Sequence, residues 1–103
     1  KDNLFVSDVF NHRIQVFDSD GKFLNKFGSL GPNDGQFHTP RQIIVDNKDQ
    51  LYVIDRQNSR VQVFTYTDNP PIDIKLNKEI YDNLLLSKIL KSVTCFNNFL
   101  AFN

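Results

Sequence analysis

The sequence contains one cysteine, Cys95, so no intrachain disulfide can form. That fits a reducing compartment, or a fragment, and a cytoplasmic setting is expected. Two histidines beside one cysteine are too few for a metal site built from these residue types, and no metal or cofactor is expected. An excess of charge is also missing. Lys plus Arg equals Asp plus Glu at twelve each, and residues 1–40, 41–69 and 70–103 are each close to neutral. Net charge therefore supports neither a non-specific nucleic-acid role nor a membrane role, although a local basic patch stays open. No uninterrupted apolar run approaches the eighteen residues of a membrane span, because the greasiest stretch, Leu84 to Phe102, includes Lys88, Lys91, Asn97 and Asn98. No signal peptide is visible. Catalytic signatures are absent as well: there is no GxSxG elbow, no HExxH and no P-loop. The expectation is a chain that is not itself an enzyme.

What the sequence does contain is a repeat. Leu4 to Phe17 reads LFVSDVFNHRIQVF, and Leu51 to Phe64, 47 residues further on, reads LYVIDRQNSRVQVF. Eight of the fourteen positions are identical, among them Asp8/Asp55, Asn11/Asn58, Arg13/Arg60, Gln15/Gln62 and Phe17/Phe64. Self-similarity at such a period points to an array or a propeller.

Short β-branched and aromatic runs predict strands at Asn3 to Ser7, Arg13 to Asp18, Lys22 to Phe27, Arg41 to Asp46, Gln50 to Ile54 and Arg60 to Tyr66, with another near Ile72 to Leu76. Alternation along Arg13 to Phe17 implies sheets with two different faces. Asp8 to His12 and Asp55 to Ser59 read as tight polar links, and Asp18-Ser-Asp-Gly21 as a hairpin turn. Residues 28–40, rich in Gly, Pro, Asn and Asp, read as a long connection. Units of four antiparallel strands at this period are propeller blades, so the fold class expected is all-β, a partial propeller. Residues 1–28 would form a first blade without its innermost strand, 29–40 the inter-blade loop, and 41–76 the second blade. Residues 77–103 fit no blade. Their apolar positions, including Leu85, Leu86, Ile89, Leu90 and Val93, suit one helical face, so this tail is either a short amphipathic helix or sequence that diverged after the array.

Asp34-Gly-Gln-Phe-His-Thr-Pro40, the strands that follow it, Asn58-Ser-Arg-Val-Gln-Val-Phe64, and above all Asn11-His12-Arg13-Ile14 resemble the NHL repeat, over about residues 3–66. The resemblance implies blades of a six-bladed propeller and is nearest to the tripartite-motif NHL proteins. In those, the propeller selects protein partners or single-stranded RNA, while RING, B-box and coiled-coil segments serve ubiquitin transfer. The paired cysteines of a RING are absent here, so ubiquitin ligase activity would belong only to a parent protein. Some NHL-like propellers resemble a metal-dependent lyase of hydroxyglycine peptides. That chemistry needs several histidines converging in the central channel, whereas His12 and His38 are expected on loops.

Asp8, Asn11 and Arg13, with Asp55, Asn58 and Arg60, are expected to form a repeated network in which carboxylate and guanidinium pair across a turn. Repetition favours a stapling role over a ligand site. Phe37 is expected to plug the gap between blades, with Phe17, Phe23, Phe27 and Phe64 between the sheets. Function is expected where the repeats differ. In a propeller, one face would display His12, His38, Arg41, Arg56, Gln57 and Ser59, a mildly basic set suited to phosphate, bases or acidic peptide. Arg56 stands out because its counterpart is the apolar Val9. The opposite face would show Asp18, Asp20, Asp46, Asn47 and Asp49. A non-catalytic binding module for protein or single-stranded RNA is the leading reading, and a purely structural scaffold the alternative. Fewer than three repeats seldom bury a continuous core, so the isolated chain is expected to be marginal unless further NHL blades, self-association or its own tail covers its edges.

Overall fold

The computed structural model describes residues 3–46, 48–67, 74–80 and 101–102. Strands β1 (Leu4–Asp8), β2 (Arg13–Phe17) and β3 (Phe23–Phe27) form one antiparallel meander. Strands β4 (Pro40–Val45), β5 (Gln50–Asp55), β6 (Arg60–Tyr66) and β7 (Ile74–Ile80) form a second. The repeats thus build two successive sheets, not parts of one shared sheet. The fourth strand of the second blade lies later than Ile72 to Leu76 and extends to Ile80, beyond the boundary expected at residue 76. The predicted tail helix falls on residues outside those described, apart from β8 (Ala101–Phe102).

The inner edge of β1 is not bare. β8 runs parallel to it, opposite Ser7 and Asp8, giving the sheet order β3-β2-β1-β8. A tail that covers a sheet edge is among the arrangements expected from the sequence. An open strand edge presents unpaired N–H and C=O groups, and the chain's last residues supply partners for some of them.

Alternation along the strands decides which side chains meet between the blades. From the first blade come Phe5, Ile14 and Val16, and from the second Ile43, Leu51, Val53, Phe64 and Tyr66, with Phe37 of the connecting loop among them. Phe37 is fully buried, and its ring meets those of Phe27 and Phe64 edge-on at centroid distances of 6.0 and 5.9 Å. Ile54, Val61 and Val63, with Tyr52 and Ile80, form a smaller cluster from the alternate positions of the second blade. Phe17 and Phe23 depart from expectation. They meet edge-on at 5.9 Å, and Phe23 is 48% exposed, because Phe17 shares a face with Arg13 and Gln15 and not with Ile14 and Val16.

Candidate functional site

Each repeat turns from its first to its second full strand through one 3-10 turn, Val9–Asn11 or Arg56–Asn58, closed by a residue in the left-handed region, His12 at φ 55° or Ser59 at φ 53°. The turn sets Asp8 opposite Arg13 and Asp55 opposite Arg60 in register, so each carboxylate meets its guanidinium across the strand pair. Arg13 Nε donates to Asp8 Oδ2 at 2.8 Å, and Arg60 Nε donates to Asp55 Oδ2 at 2.7 Å. Asn11 and Asn58 each donate a side-chain N–H to the same carboxylates, at 3.0 and 2.9 Å. Burial pushes the Asp8 carboxyl up. Hydrogen bonds from Arg13 and Asn11, the Arg13 charge and a hydrogen bond from Gln15 outweigh it and hold the pKa below the ordinary 3.8.

In the second blade this network grips the inter-blade loop. The Arg60 guanidinium donates to the carbonyls of Pro32, Asn33 and Gln36 at 2.8 to 3.0 Å and reaches Glu79 of β7 at 3.5 Å. Gln62 accepts the Gly35 amide at 2.9 Å and donates to the Gln36 carbonyl at 2.7 Å, while Asp55 Oδ1 accepts the His38 amide at 2.7 Å. The loop is in turn tied to both turns. The His38 carbonyl accepts the Gln57 amide at 3.1 Å, and His12 Nδ1 accepts the Thr39 amide at 3.0 Å. Thr39 itself takes φ 51°, an uncommon conformation for a β-branched residue, at the point where the loop turns into β4. Gly28 opens the loop at φ 105°, and a Cβ there would stand 2.5 Å from the Phe37 ring.

The residues expected on the loop face fall into two adjoining groups. His12 and His38 meet edge to face at 5.5 Å, and the backbone of Gln57 joins them. Arg41, Arg56 and Ser59 line an open cavity of about 360 Å³ together with Gln42, Ile54 and the Asp55–Arg60 pair. Asp55 and Arg60 offset each other at 2.7 Å, so the cationic character of this lining comes from Arg41 and Arg56, both exposed. Sequence reasoning passed over one exposed aromatic: Phe10, in the first turn, is 65% exposed. The signal was available, because Phe10 replaces the polar Gln57 of the second repeat and no strand pairing requires an aromatic at a turn.

The opposite face holds two carboxylates that order their own turns. Asp18 Oδ1 accepts the amides of Asp20 and Lys22, each at 2.9 Å, in the turn that Gly21 completes at φ 85°. Asp46 Oδ1 accepts the amides of Lys48 and Gln50 at 2.8 and 2.9 Å, and its other oxygen accepts the Tyr52 hydroxyl. Burial pushes Asp46 up, but these bonds and the Lys48 charge bring its pKa below 3.8, while burial and then the Asp46 carboxylate raise that of Tyr52. Asn47 lies outside the described residues. Among the described residues no three His, Cys, Asp or Glu side chains gather as a metal cluster, and no helix is long and apolar enough to cross a membrane.

Comparison with known proteins fits this architecture. A family model described as a six-bladed beta-propeller matches residues 1–88. The chain is 33% identical over 66 residues to protein brain tumor of Drosophila melanogaster, a match covering 62% of the chain and 6% of that protein. It is 42% identical over 67 residues to the peptidylglycine alpha-amidating monooxygenase of Rattus norvegicus, covering 59% of the chain and 7% of the enzyme. It is also 42% identical over 43 residues to the human E3 ubiquitin-protein ligase TRIM32, covering 42% of the chain and 7% of the ligase. The chain therefore spans under a tenth of the length of these relatives. Two successive blades with matching turn networks, and a family match over most of the sequence, establish that the chain belongs to the six-bladed β-propeller family, with repeats of the NHL kind.

Proposed function

We propose that this blade pair is a non-catalytic recognition module that engages single-stranded RNA through its loop face. The observation that carries the reading is the convergence of Arg41 and Arg56 on one open cavity, on a chain that also exposes Phe10 at its first turn. Guanidinium groups suit phosphate oxygens, and an exposed ring suits a splayed base. Overall neutrality is compatible with this, because the positive character is local. The relatives named as a monooxygenase and as a ubiquitin-protein ligase match over only 7% of their lengths, and neither activity follows from so short a stretch.

Fluorescence anisotropy with a labelled single-stranded RNA, at several salt concentrations, tests the reading. Each phosphate contact contributes about 0.7 to the logarithmic salt slope on a single strand, so Arg56→Ala should flatten the slope by about that amount. Phe10→Ala should weaken binding by about 1–3 kcal/mol through lost stacking. Absence of any anisotropy change at low salt would end the RNA reading. Affinity capture with mass spectrometry would then ask whether the same face selects a protein.

A further inference from the structure

Both histidines of the chain meet where the first turn touches the inter-blade loop. His12 closes the first turn in the left-handed region at φ 55°. Ser59 closes the second turn at φ 53° without a ring, so the conformation itself does not call for a histidine. What the ring adds is an acceptor. Its Nδ1 accepts the Thr39 amide at 3.0 Å and so ties the first blade to the residue just before β4. That nitrogen accepts only while it is unprotonated, and the neutral ring then keeps its proton on Nε2. The same bond disqualifies the ring as a metal ligand, because a ligating histidine donates from its second nitrogen and does not accept there. Thr39 depends on the tie. Its φ of 51° is strained for a β-branched residue and persists only where neighbouring contacts fix it. Its hydroxyl donates to the His38 carbonyl at 2.7 Å, and the Gln57 amide donates to the same carbonyl at 3.1 Å.

We propose that His12 and His38 form a proton-operated latch between the blades. Acid protonates His12 Nδ1, cancels the Thr39 bond and releases the entry into β4, the strand that carries Arg41 into the loop face. A protonated Nδ1 is a donor facing an amide donor, so the contact turns from attractive to repulsive. His38 stands edge to face with His12 at 5.5 Å, so a second proton places two like charges in contact and pushes the loop from the turn. The carboxylates flanking the two turns are already engaged. Asp8 and Arg13 are closed on each other at 2.8 Å. Asp55 and Arg60 are closed at 2.7 Å, Glu79 reaches the same guanidinium, and the other Asp55 oxygen accepts the His38 amide. Arg56 of the second turn, Arg41 of β4 and Lys26 of β3 add only positive charge, and Asp34 of the loop is exposed to solvent. The latch goes beyond the RNA reading and does not depend on it.

Amide exchange of the whole chain, read by NMR as protection factors at about pH 8 and about pH 5, tests the latch, with the His12 ring nitrogens followed in the same samples. Thr39 should be protected at the higher pH and lose about tenfold or more of that protection at the lower, in step with protonation of His12 Nδ1. Gly35, held by the carboxamide of Gln62, should keep its protection at both, which separates release of the latch from loosening of the whole chain. His12→Asn puts a carboxamide oxygen where Nδ1 stands and tolerates the left-handed region, so Thr39 protection should no longer respond to pH. His12→Ser copies the second turn and should leave Thr39 poorly protected at both. Thr39 protection that is absent at the higher pH, unchanged at the lower, lost as much in His12→Asn, kept in His12→Ser, or lost only together with that of Gly35 overturns the proposal.

Discussion

The two blades carry the same aspartate, asparagine, arginine and glutamine in the same strand register, and they use them differently. Around Asp55 the aspartate, arginine and glutamine are buried, and with the half-buried asparagine they satisfy main-chain groups of a loop. Around Asp8 the same four bond one another, with the aspartate buried but its Arg13, Gln15 and Asn11 partners partly open to water. Identical residues thus have different energetic weight. A fully buried ion pair holding several carbonyls is costly to break from one side, whereas a pair whose guanidinium reaches water is partly compensated by solvent.

Equivalent substitutions in the two blades should therefore diverge. Arg60→Ala leaves the buried Asp55 carboxylate without its cation and removes a donor from three loop carbonyls, and urea unfolding should show a loss of about 3–5 kcal/mol. Arg13→Ala should cost about 1 kcal/mol or less in the same assay. Equal losses would erase the distinction between the blades. The glutamines sharpen it at smaller scale. Gln62→Ala orphans the part-buried amide of Gly35 and removes a fully buried side chain, and should cost about 1–3 kcal/mol, while Gln15→Ala should stay within about 0.5 kcal/mol.

The smallest effect is expected in acid. A carboxyl whose pKa falls on folding stabilises the folded chain above its unfolded value, 3.8 for Asp8 and Asp46, and that contribution disappears as pH falls through the lower folded value. Stability should thus decline as pH drops below about 4. Asp8→Asn should flatten part of that decline, leaving the part due to Asp46. An unchanged acid limb in the variant would show that Asp8 titrates alike in both states.

Much of the fold was legible in the residues themselves. Strand positions followed from β-branched alternation, the blade count from the repeat, and the Asp–Arg pairing from its five-residue spacing across a turn. Phe37 was identifiable as a plug because an apolar ring in a polar loop needs somewhere to go. Other features were not legible, for physical reasons. The carbonyls of Pro32, Asn33 and Gln36 that converge on Arg60 are main-chain groups, which every residue has, so composition cannot announce them. Phe17 and Phe64 are identical in sequence, but Phe64 is buried against Phe27 of the first blade and Phe37 of the loop, while Phe17 meets Phe23 edge-on. The loop face was foreseen as one basic set. Its division into a histidine pair and an arginine-lined cavity is set by main-chain contacts such as the Thr39 amide on His12 and the Gln57 amide on the His38 carbonyl, which no pattern of residues encodes.

The asymmetry between the blades is tested most directly by hydrogen exchange at single amides, read by NMR. The amides of Gly35 and His38, held by Gln62 and Asp55, should exchange slowly in the parent chain and in Arg13→Ala, and quickly in Gln62→Ala. Fast exchange at both amides in the parent chain, or protection that Arg13→Ala removes as readily as Gln62→Ala does, would contradict a Gly35-to-His38 stretch clamped by Asp55 and Gln62 of the second blade.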